Sequence, residues 1–326
     1  MLFGREIRII VARGGERLTV DPNEFERFPL ETGDRLSVRP ATKAMRLIVT
    51  PDGCRHVPLK NGKAIRVPDI VEMAEFKGLR VPAHLVTLTG AGPETLDPIG
   101  KAHIANYRKF MGLEPGTTIL EIGCGMGRDA LQLIELEPPI SRYIGVDVTW
   151  DAIAWCKQNI STRHPNFEFH HFNAKHELYN PLGTQTSLDF ALPAVDASVD
   201  RVLLGSVFTH LFEDEVVHYL KEIKRVLSPN GLAYATFFLY SAETIEAAIR
   251  TDRTPFGLRF EHPHGEGCFI SNPDYPTGAV AYTDEAMRRM INAAGLSLAR
   301  PYLRGWWSGY YEEADDGQEV AILTPA

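Results

Sequence analysis

The chain has 326 residues, of which 44% are hydrophobic and 23% charged, and its formal net charge is -8. This length allows one large domain with an appendage or two modest domains, and the composition is typical of a globular protein. The negative charge, together with the lack of a long basic run, argues against a nucleic acid as the main partner.

The first residues and the cysteines indicate a reduced cellular compartment. The stretch MLFGREIRIIVARGGERL carries charges inside its apolar run, which is not typical of a signal peptide, and no later stretch approaches membrane-spanning length. The four cysteines, Cys54, Cys124, Cys156 and Cys268, include no CxxC pair, which argues against a zinc or thioredoxin-like site. We therefore expect a cytoplasmic protein without a membrane span.

The first 85 residues are predicted to form a small β-rich domain. Runs such as REIRIIVA, ERLTV and DRLSVRP alternate roughly between apolar and polar residues, as half-buried strands do. Asp52-Gly53 and Asn61-Gly62 are typical hairpin turns. We expect this domain to contact a protein partner or a second copy of the chain. The stretch LTGAGPETLDPIG has the composition of a linker, and a helix is expected over PIGKAHIANYRKFMGL.

From residue 117 onward, strand-like runs alternate with amphipathic helices. The strand-like runs are TTILEIG, RYIGVDV, FEFHHF, VDRVLLGSV and LAYATFFLY, and helical spacing is kept in RDALQLIELE, DAIAWCKQNIST and DEVVHYLKEIKRVL. This alternation predicts an α/β fold with a parallel sheet covered by helices on both faces. A later helix is expected over TDEAMRRMINAAGL, and PYLRGWWSG and QEVAILTP are expected to pair as a terminal hairpin.

A glycine turn joins the first of these strands to its helix in ILEIGCGMGRDALQL. Such a turn lets the backbone approach a ligand closely and directs helix N–H groups toward it. The spacing Gly123-x-Gly125-x-Gly127 differs from the G-x-G-x-x-G of dinucleotide-binding proteins. With Glu121 in front, it resembles the first motif of class I S-adenosylmethionine (SAM) methyltransferases. On the glycines alone, a tight turn without a ligand is the alternative.

The following strands extend this resemblance. YIGVDV contains Asp147, 20 residues after Gly127, and a carboxylate there accepts hydrogen bonds from both ribose hydroxyls in Rossmann-like sites. The resemblance covers roughly residues 98–326. WCKQNI, HPNFEF, YNPLG and SVFTHL resemble a group of bacterial methyltransferases that are often associated with glycan or secondary-metabolite modification.

The resemblance implies a fold, a cofactor and a set of contact residues. Residues 86–326 are expected to form a seven-stranded Rossmann-like sheet of order 3-2-1-4-5-7-6, whose last pair of strands reverses direction. The cofactor is expected to be SAM. The residues expected to contact SAM are Glu121, Gly123, Cys124, Gly125, Gly127, Asp147, Val148, Asn173, Ala174, Gly205 and Ser206.

The methyl acceptor is predicted to be a hydroxyl of a small molecule or glycan. The fourth strand lacks the (N/D)PP(Y/F) motif of enzymes that methylate base nitrogens, and a Pro-Cys nucleophile is absent. Transfer to a hydroxyl requires alignment and proton removal. His210 in FTHL lies at the sheet edge where ligands bind and is the predicted base, although a loop-orienting histidine is the alternative. An amine acceptor fits the same motifs, and an NAD(P)-dependent oxidoreductase or a non-catalytic SAM-binding scaffold are the remaining alternatives.

The segment from about 241 to 282 is predicted to be a lid over the acceptor. It is long and rich in Pro, Gly, His and aromatic residues, which is typical of binding loops, although a packing decoration is the alternative. No metal site is expected, because adjacent histidines on a strand point to opposite faces. The residues predicted to bind the acceptor are Phe256, Phe260, His262, His264 and Tyr275.

Overall fold

A computed structural model describes residues 7–13, 16–21, 24, 27–29, 35–40, 48–49, 55–58, 64–67, 73–89, 92–176, 179–254 and 256–326. Its α-helices are α1 (Ala83–Thr87), α2 (Pro93–Met111), α3 (Arg128–Leu133), α4 (Trp150–Cys156), α5 (Glu213–Val226), α6 (Ala242–Thr251) and α7 (Asp284–Ala293). Its strands are β1 (Ile7–Arg13), β2 (Glu16–Val20), β3 (Arg35–Pro40), β4 (Ile48–Val49), β5 (Arg55–Pro58), β6 (Ala64–Val67), β7 (Met73–Phe76), β8 (Leu79–Pro82), β9 (Thr118–Ile122), β10 (Arg142–Asp147), β11 (Phe167–His171), β12 (Val199–Leu204), β13 (Leu227–Leu239), β14 (His262–Pro263), β15 (Cys268–Ile270), β16 (Val280–Tyr282), β17 (Leu296–Leu298) and β18 (Glu319–Pro325).

A central, mostly parallel sheet organises the chain from residue 118 onward. Strands β11, β10, β9, β12 and β13 lie side by side in parallel, β18 pairs with β13, and β17 pairs with β18. Counted along these seven strands, the order is 3-2-1-4-5-7-6. Apolar residues of the central strands are buried on both faces, against α5 and α7 on one side and against α2, α3 and α4 on the other. The predicted α/β fold is confirmed.

The end of the sheet differs from the prediction in strand direction. β18 runs antiparallel to β13 and β17 runs antiparallel to β18, so β17 is parallel to β13 and only β18 reverses. The reason is the connection: α7 precedes β17 as a crossover helix, which gives a parallel strand, whereas β18 returns without a helix. The stretch PYLRGWWSG, residues 301–309, was predicted to pair with the last strand, but the strand that pairs with β18 is β17, at 296–298. Within the predicted stretch, Leu303 still forms a bridge with Val320.

Helix α2 begins earlier than predicted and includes most of the expected linker. Pro93 occupies the first turn, where its missing N–H costs nothing, and Pro98 lies inside the helix. The helix continues past Pro98 because Leu96 and Ile104 are buried in the core. A Cβ at Gly100 would lie 2.8 Å from Cγ of Gln132, so a glycine is needed where α2 approaches α3.

Residues 241–282 contain regular elements rather than one irregular loop. After α6, the strands β14, β15 and β16 form an antiparallel extension, and β16 pairs in parallel with Phe238 and Leu239 of β13. This segment therefore widens the central sheet beside its carboxyl edge. Its role as a lid stays a prediction.

The N-terminal strands form three small antiparallel sheets, β2-β1-β3, β4-β5-β6 and β7-β8. The turns Asp52-Gly53 and Asn61-Gly62 lie outside the described residues, but the strands that flank each of them pair antiparallel. The last part of this region contacts the main sheet: Phe76 and Leu85 share a core with the helices α2 to α4. A domain boundary at residue 85 stays a prediction. Among the helices in the described part of the chain, none is long and apolar enough to cross a membrane.

Candidate cofactor and acceptor site

The glycine loop follows β9 directly and leads into α3. Gly123 and Gly125 both have left-handed backbones, with φ of 76° and 52°, which favour glycine. A Cβ at Gly123 would lie 2.7 Å from Cγ2 of Val207, whereas a Cβ at Gly125 would have no heavy atom within 4 Å. The loop is therefore packed against the end of β12 at Gly123 and open at Gly125, where a ligand can approach the backbone.

Asp147 joins this loop to the end of the neighbouring strand β10. Its Oδ2 accepts a hydrogen bond from the Gly125 N–H at 2.7 Å, and its Oδ1 accepts one from the Thr149 N–H at 2.7 Å. Burial raises the pKa of Asp147, and these two N–H donors oppose the rise. Each carboxylate oxygen can accept a second hydrogen bond, so both retain capacity for ribose hydroxyls. These residues fit a bound nucleoside.

Glu121 and Cys124 lie beneath the loop. Glu121 is buried, and its carboxylate accepts a hydrogen bond from the hydroxyl of Tyr143. Burial, strengthened by the negative charge of Asp129, raises its pKa well above the usual range. Cys124 is buried against Gly145. Both predicted cofactor residues thus support the loop from the core side, and Gly127 ends the loop as the residue before α3.

The third strand leads into a segment that is anchored by side-chain amides. The backbone carbonyl of Asn173 accepts hydrogen bonds from the backbone N–H groups of Thr184 and Gln185, each at 3.1 Å. Asn180 donates to the Asn173 side chain at 3.1 Å and to the carbonyl of buried Ala174 at 2.9 Å. Val148 packs partly buried beside Ala174 in a small apolar cluster. The structure therefore brings Val148, Asn173 and Ala174, three of the predicted SAM contacts, together at the carboxyl ends of β10 and β11.

Ser206, directly after Gly205 at the end of β12, has a left-handed backbone with φ of 57°. A ring of three hydrogen bonds holds it there. The Ser206 N–H donates to Thr236 Oγ1 at 2.7 Å, and Gln318 Nε2 donates to Ser206 Oγ at 3.0 Å. The Thr236 hydroxyl in turn donates to Gln318 Oε1 at 2.7 Å. A non-glycine residue in this conformation is costly, and such strain clusters at functional sites. A Cβ at Gly205 would have no heavy atom within 4 Å, so this edge is open.

A buried carboxylate fastens α2 to the start of α3. Asp129, 2% exposed, accepts hydrogen bonds from His103 Nδ1 and from the Tyr107 hydroxyl, each at 2.8 Å. Burial alone would raise the pKa of Asp129, but His103, Arg128 and Tyr107 together lower it to about 2. Helix α2 is thereby held beside the glycine loop.

His210 ends a short 3-10 turn, Phe208–His210, that follows β12. Its Nδ1 lies 2.8 Å from the carbonyl oxygen of Thr277, and its Nε2 lies 3.3 Å from the hydroxyl of Tyr179. Because a carbonyl only accepts, Nδ1 carries the proton and Nε2 is the acceptor nitrogen. Burial lowers the pKa of His210, so the ring is neutral near neutral pH.

The five predicted acceptor residues have different surroundings. Phe260 is fully buried against Phe238 and Trp307, so it offers no ring face at the surface. His264 is exposed and stacks on Phe212, with 4.4 Å between ring centroids. The remaining three are Phe256 and His262, both exposed, and Tyr275, which is buried. Their role in acceptor binding stays a prediction.

The sequence did not identify the residues that hold the site residues in place through hydrogen bonds. Gln318 and Thr236 fix Ser206, and Tyr179 contacts His210. Tyr179 lies in the stretch YNPLG that resembles bacterial methyltransferases, but this resemblance assigned it no role. The pair His103 and Tyr107 had a detectable signal, because residues four apart share one face of a helix. In the described part of the chain, no group of three or more His, Cys, Asp or Glu side chains is placed to hold a metal ion.

Comparisons with known proteins point to the same region. Residues 119–231 match the family model described as a methyltransferase domain. An arsenite methyltransferase of Halobacterium salinarum is 25% identical over 194 residues, covering 59% of this chain and 40% of that protein. An arsenite methyltransferase of Aquipseudomonas alcaligenes is 26% identical over 142 residues, covering 44% of this chain and 38% of that protein. The chain thus spans about two fifths of the length of these curated relatives.

Among solved structures, a TehB-like SAM-dependent methyltransferase from Corynebacterium glutamicum superposes with a TM-score of 0.45 at 17% identity. The superposition covers 76% of this chain and 100% of that one. The matched family model includes the glycine loop, Asp147 and the ends of the third and fourth strands. Residues 119–231 therefore match a methyltransferase domain, and the cofactor is SAM.

Proposed function

We propose that this protein transfers the methyl group of SAM to a hydroxyl of a small molecule or glycan, with His210 as the general base. One observation supports this proposal above others: a neutral imidazole follows β12 at the carboxyl edge of the sheet, with Nε2 as its proton-accepting nitrogen. Ligands of open α/β sheets bind at this edge. A neutral histidine whose second nitrogen is already committed to a carbonyl suits proton removal.

The residues around the glycine loop have separate tasks in binding SAM. The open backbone at Gly125 and Gly205 lets the cofactor approach closely, and Asp147 receives the ribose hydroxyls while it holds the loop through Gly125. Ser206, fixed by Thr236 and Gln318, keeps the end of β12 in a single conformation. These roles orient donor and acceptor, which is a major source of rate enhancement in bimolecular reactions.

Held by the glycine loop and Asp147, SAM would supply an electrophilic methyl group to the acceptor oxygen and would leave as the neutral thioether, and His210 Nε2 would accept the hydroxyl proton. The carbonyl of Thr277 then stabilises the imidazolium through the Nδ1–H. Burial lowers the pKa of His210 below 6.5, the ordinary pKa of a histidine. The neutral ring therefore predominates at pH 6.5 and above. Turnover should therefore rise as the pH increases through that lowered pKa.

The acceptor named for the curated relatives is not proposed for this chain. Arsenite is a soft acceptor that would require thiolate ligands, as soft metals do. Cys124, Cys156 and Cys268 are buried, and burial raises the pKa of each thiol. Cys124 and Cys156 lie beside Gly125 of the cofactor loop, whereas Cys268 lies in β15. These thiols do not offer a thiolate to an acceptor.

The oxidoreductase alternative is also disfavoured. A dinucleotide-binding enzyme of this type carries a second mononucleotide-binding half after the first. Here β13 is followed by α6, the extension β14 to β16, and the pair β17 and β18. An amine acceptor is compatible with the same site, so the test below includes amines.

A turnover screen tests the proposed function. SAM and the protein are incubated with sugars, nucleotide sugars, phenolic metabolites and matched amines, and the demethylated cofactor is quantified. With the best hydroxyl acceptor, His210→Asn should lower turnover by about 10²–10⁴-fold while SAM affinity changes little. The asparagine amide can still donate to the Thr277 carbonyl, which keeps the turn intact. Turnover of amines alone, or near-normal turnover in His210→Asn, would contradict the proposal.

A further inference from the structure

The ring of His210 is held at both nitrogens by segments from different parts of the chain. The carbonyl of Thr277 belongs to the 3-10 turn Pro276–Gly278 inside the segment 241–282. The Tyr179 hydroxyl belongs to the connection between β11 and β12. Since Nδ1 carries the proton, the lone pair of Nε2 has to accept, and the Tyr179 O–H is the donor that lies within reach.

The surroundings of His210 contain other titratable groups in defined positions. The Tyr282 hydroxyl of β16 donates to the Leu211 carbonyl at 2.7 Å. His176 Nε2 lies 3.4 Å from the His210 backbone oxygen, and the ring centroids of His176 and His210 are 6.2 Å apart. The Tyr179 ring meets the His210 ring edge-on at a centroid distance of 5.3 Å. Tyr282 and His176 thus bind backbone carbonyls of this turn, whereas Tyr179 contacts the imidazole itself.

We propose that Tyr179 is a positioning residue for methyl transfer, whose hydroxyl, together with the Thr277 carbonyl, fixes the His210 ring with Nε2 as the proton-accepting nitrogen. The proposal rests on the proposed function of His210 as the base. Tyr179 keeps the ring in one tautomer and one orientation until an acceptor hydroxyl takes over as the donor to Nε2. The base is thereby oriented before the acceptor arrives.

This arrangement links Tyr179 to the titration of His210. In the neutral ring the Tyr179 hydroxyl donates to the lone pair of Nε2, and in the protonated ring the same oxygen can accept from the Nε2–H. Removal of the hydroxyl should therefore shift the pKa of His210 by the difference between these two hydrogen bonds.

The first test replaces Tyr179 by phenylalanine in the full-length protein and needs neither SAM nor an acceptor. Tyr179→Phe keeps the ring that packs on His210 and removes only the hydroxyl. Histidine ring protons are titrated by NMR, and His210→Asn identifies the His210 resonance. Loss of the hydroxyl should shift the His210 titration and should also change the Nε2 chemical shift of the neutral ring, because the hydrogen bond to its lone pair is lost. Tyr310→Phe, at an exposed position, is the matched control and should leave the titration unchanged.

A second measurement uses the unaltered protein. Ring nitrogen chemical shifts should show the His210 tautomer that carries its proton on Nδ1. A proton on Nε2 in the neutral protein, or an Nε2 chemical shift of the neutral ring that is the same in Tyr179→Phe, would overturn the role of Tyr179.

Kinetics separate this proposal from the proposed function. If His210 is the base, the ionisation in the pH profile of turnover should move in Tyr179→Phe in the same direction and by the same amount as the NMR titration, with the KM for SAM unchanged. If the NMR shift is present but His210→Asn retains normal turnover, the base assignment fails while the contact of Tyr179 with His210 stands. A purely structural role of Tyr179 would lower turnover without moving the ionisation, and this result would also overturn the proposal.

Discussion

Asp147 combines two tasks that the sequence suggests only in part. We propose that its carboxylate receives the ribose hydroxyls, and it also accepts hydrogen bonds from the N–H groups of Gly125 and Thr149. A ligand contact and the shape of the loop thus depend on the same two oxygens. A substitution here therefore acts on SAM affinity by both routes.

Asp147→Asn should weaken SAM binding by at least about 1.5–3 kcal/mol, or roughly 10- to 150-fold. The amide replaces one accepting oxygen by a donor, which opposes a backbone N–H and cannot accept a ribose hydroxyl. Isothermal titration calorimetry measures the affinity, and Asp196→Asn, whose side chain is 75% exposed, is the control. Unchanged affinity in Asp147→Asn would disprove the assigned role.

Glu319 is a fully buried carboxyl at the start of β18. Its Oε2 accepts from the Trp307 indole N–H at 2.7 Å and from the Leu239 N–H at 3.1 Å, and Oε1 is buried without a hydrogen-bond partner. Burial raises its pKa to about 7, and the two donors offset the rise only in part. The folded protein therefore holds this proton more tightly than the unfolded chain does.

The free energy of unfolding should consequently fall as the pH rises from about 4.5 toward 7 and above. A group whose folded pKa is raised favours the folded state fully below its unfolded pKa and progressively less up to its folded pKa. The loss amounts to roughly 3 kcal/mol for a shift of this size. Urea unfolding at pH 5 and pH 8 measures it. Glu319→Gln should remove this part of the pH dependence, whereas Glu246→Gln, at an exposed position of α6, should leave the pH dependence unchanged. The same pH dependence in both variants would refute the assignment to Glu319.

At the scale of elements, the hairpin β7-β8 and helix α1 share a core with α2, α3 and α4. Trp155 of α4 donates its indole N–H to the Arg80 carbonyl at 2.9 Å, and His84 contacts the carboxylate of Asp151. Leu85 is 1% exposed among residues of α2, α3 and α4. We infer that the N-terminal boundary of the folded unit precedes Met73.

Leu85→Ala should destabilise the cofactor-binding domain by about 2–5 kcal/mol, because it leaves a cavity in that core. The matched change Leu18→Ala, at a position 39% exposed on β2, should cost less than about 0.5 kcal/mol. Denaturant unfolding followed by tryptophan fluorescence compares the two variants. Equal small effects would place the boundary at residue 85 after all.

At the scale of the whole molecule, the cofactor site joins distant parts of the chain. Asp129 links α2 to the glycine loop, and Asn106 of α2 donates to Asp316 at 3.0 Å, which in turn accepts from the Tyr234 hydroxyl at 2.6 Å. Gln318 connects the approach to β18 with Ser206. A ligand that binds this site should therefore stabilise the entire sheet.

SAM should raise the free energy of unfolding by about 2.7 kcal/mol at a concentration 100 times its Kd, as mass action requires for a ligand of the folded state. Differential scanning fluorimetry measures the accompanying rise in Tm. At the same SAM concentration the rise should be much smaller in Asp147→Asn and unchanged in His210→Asn. NAD(P) should have no effect, and a rise with NAD(P) instead of SAM would contradict the cofactor assignment.

The sequence alone indicated the α/β class, the glycine loop and a carboxylate, Asp147, at the end of the second strand, and its resemblance to methyltransferases indicated the cofactor. These features depend on local patterns: alternation of strands and helices, spacing of glycines, and a carboxylate at a strand end. The same patterns misplaced the start of α2, because core burial overrides Pro98. They also predicted that both final strands reverse direction, whereas only β18 does, because strand direction depends on the connection that precedes each strand.

Only the tertiary structure determined how the site residues are held. Ser206 is fixed by Thr236 and Gln318, which are 30 and 112 residues away along the chain. His210 is fixed by Tyr179 and Thr277, at separations of 31 and 67 residues. No local pattern records such contacts, because they arise where the carboxyl ends of separate strands meet at one edge of the sheet.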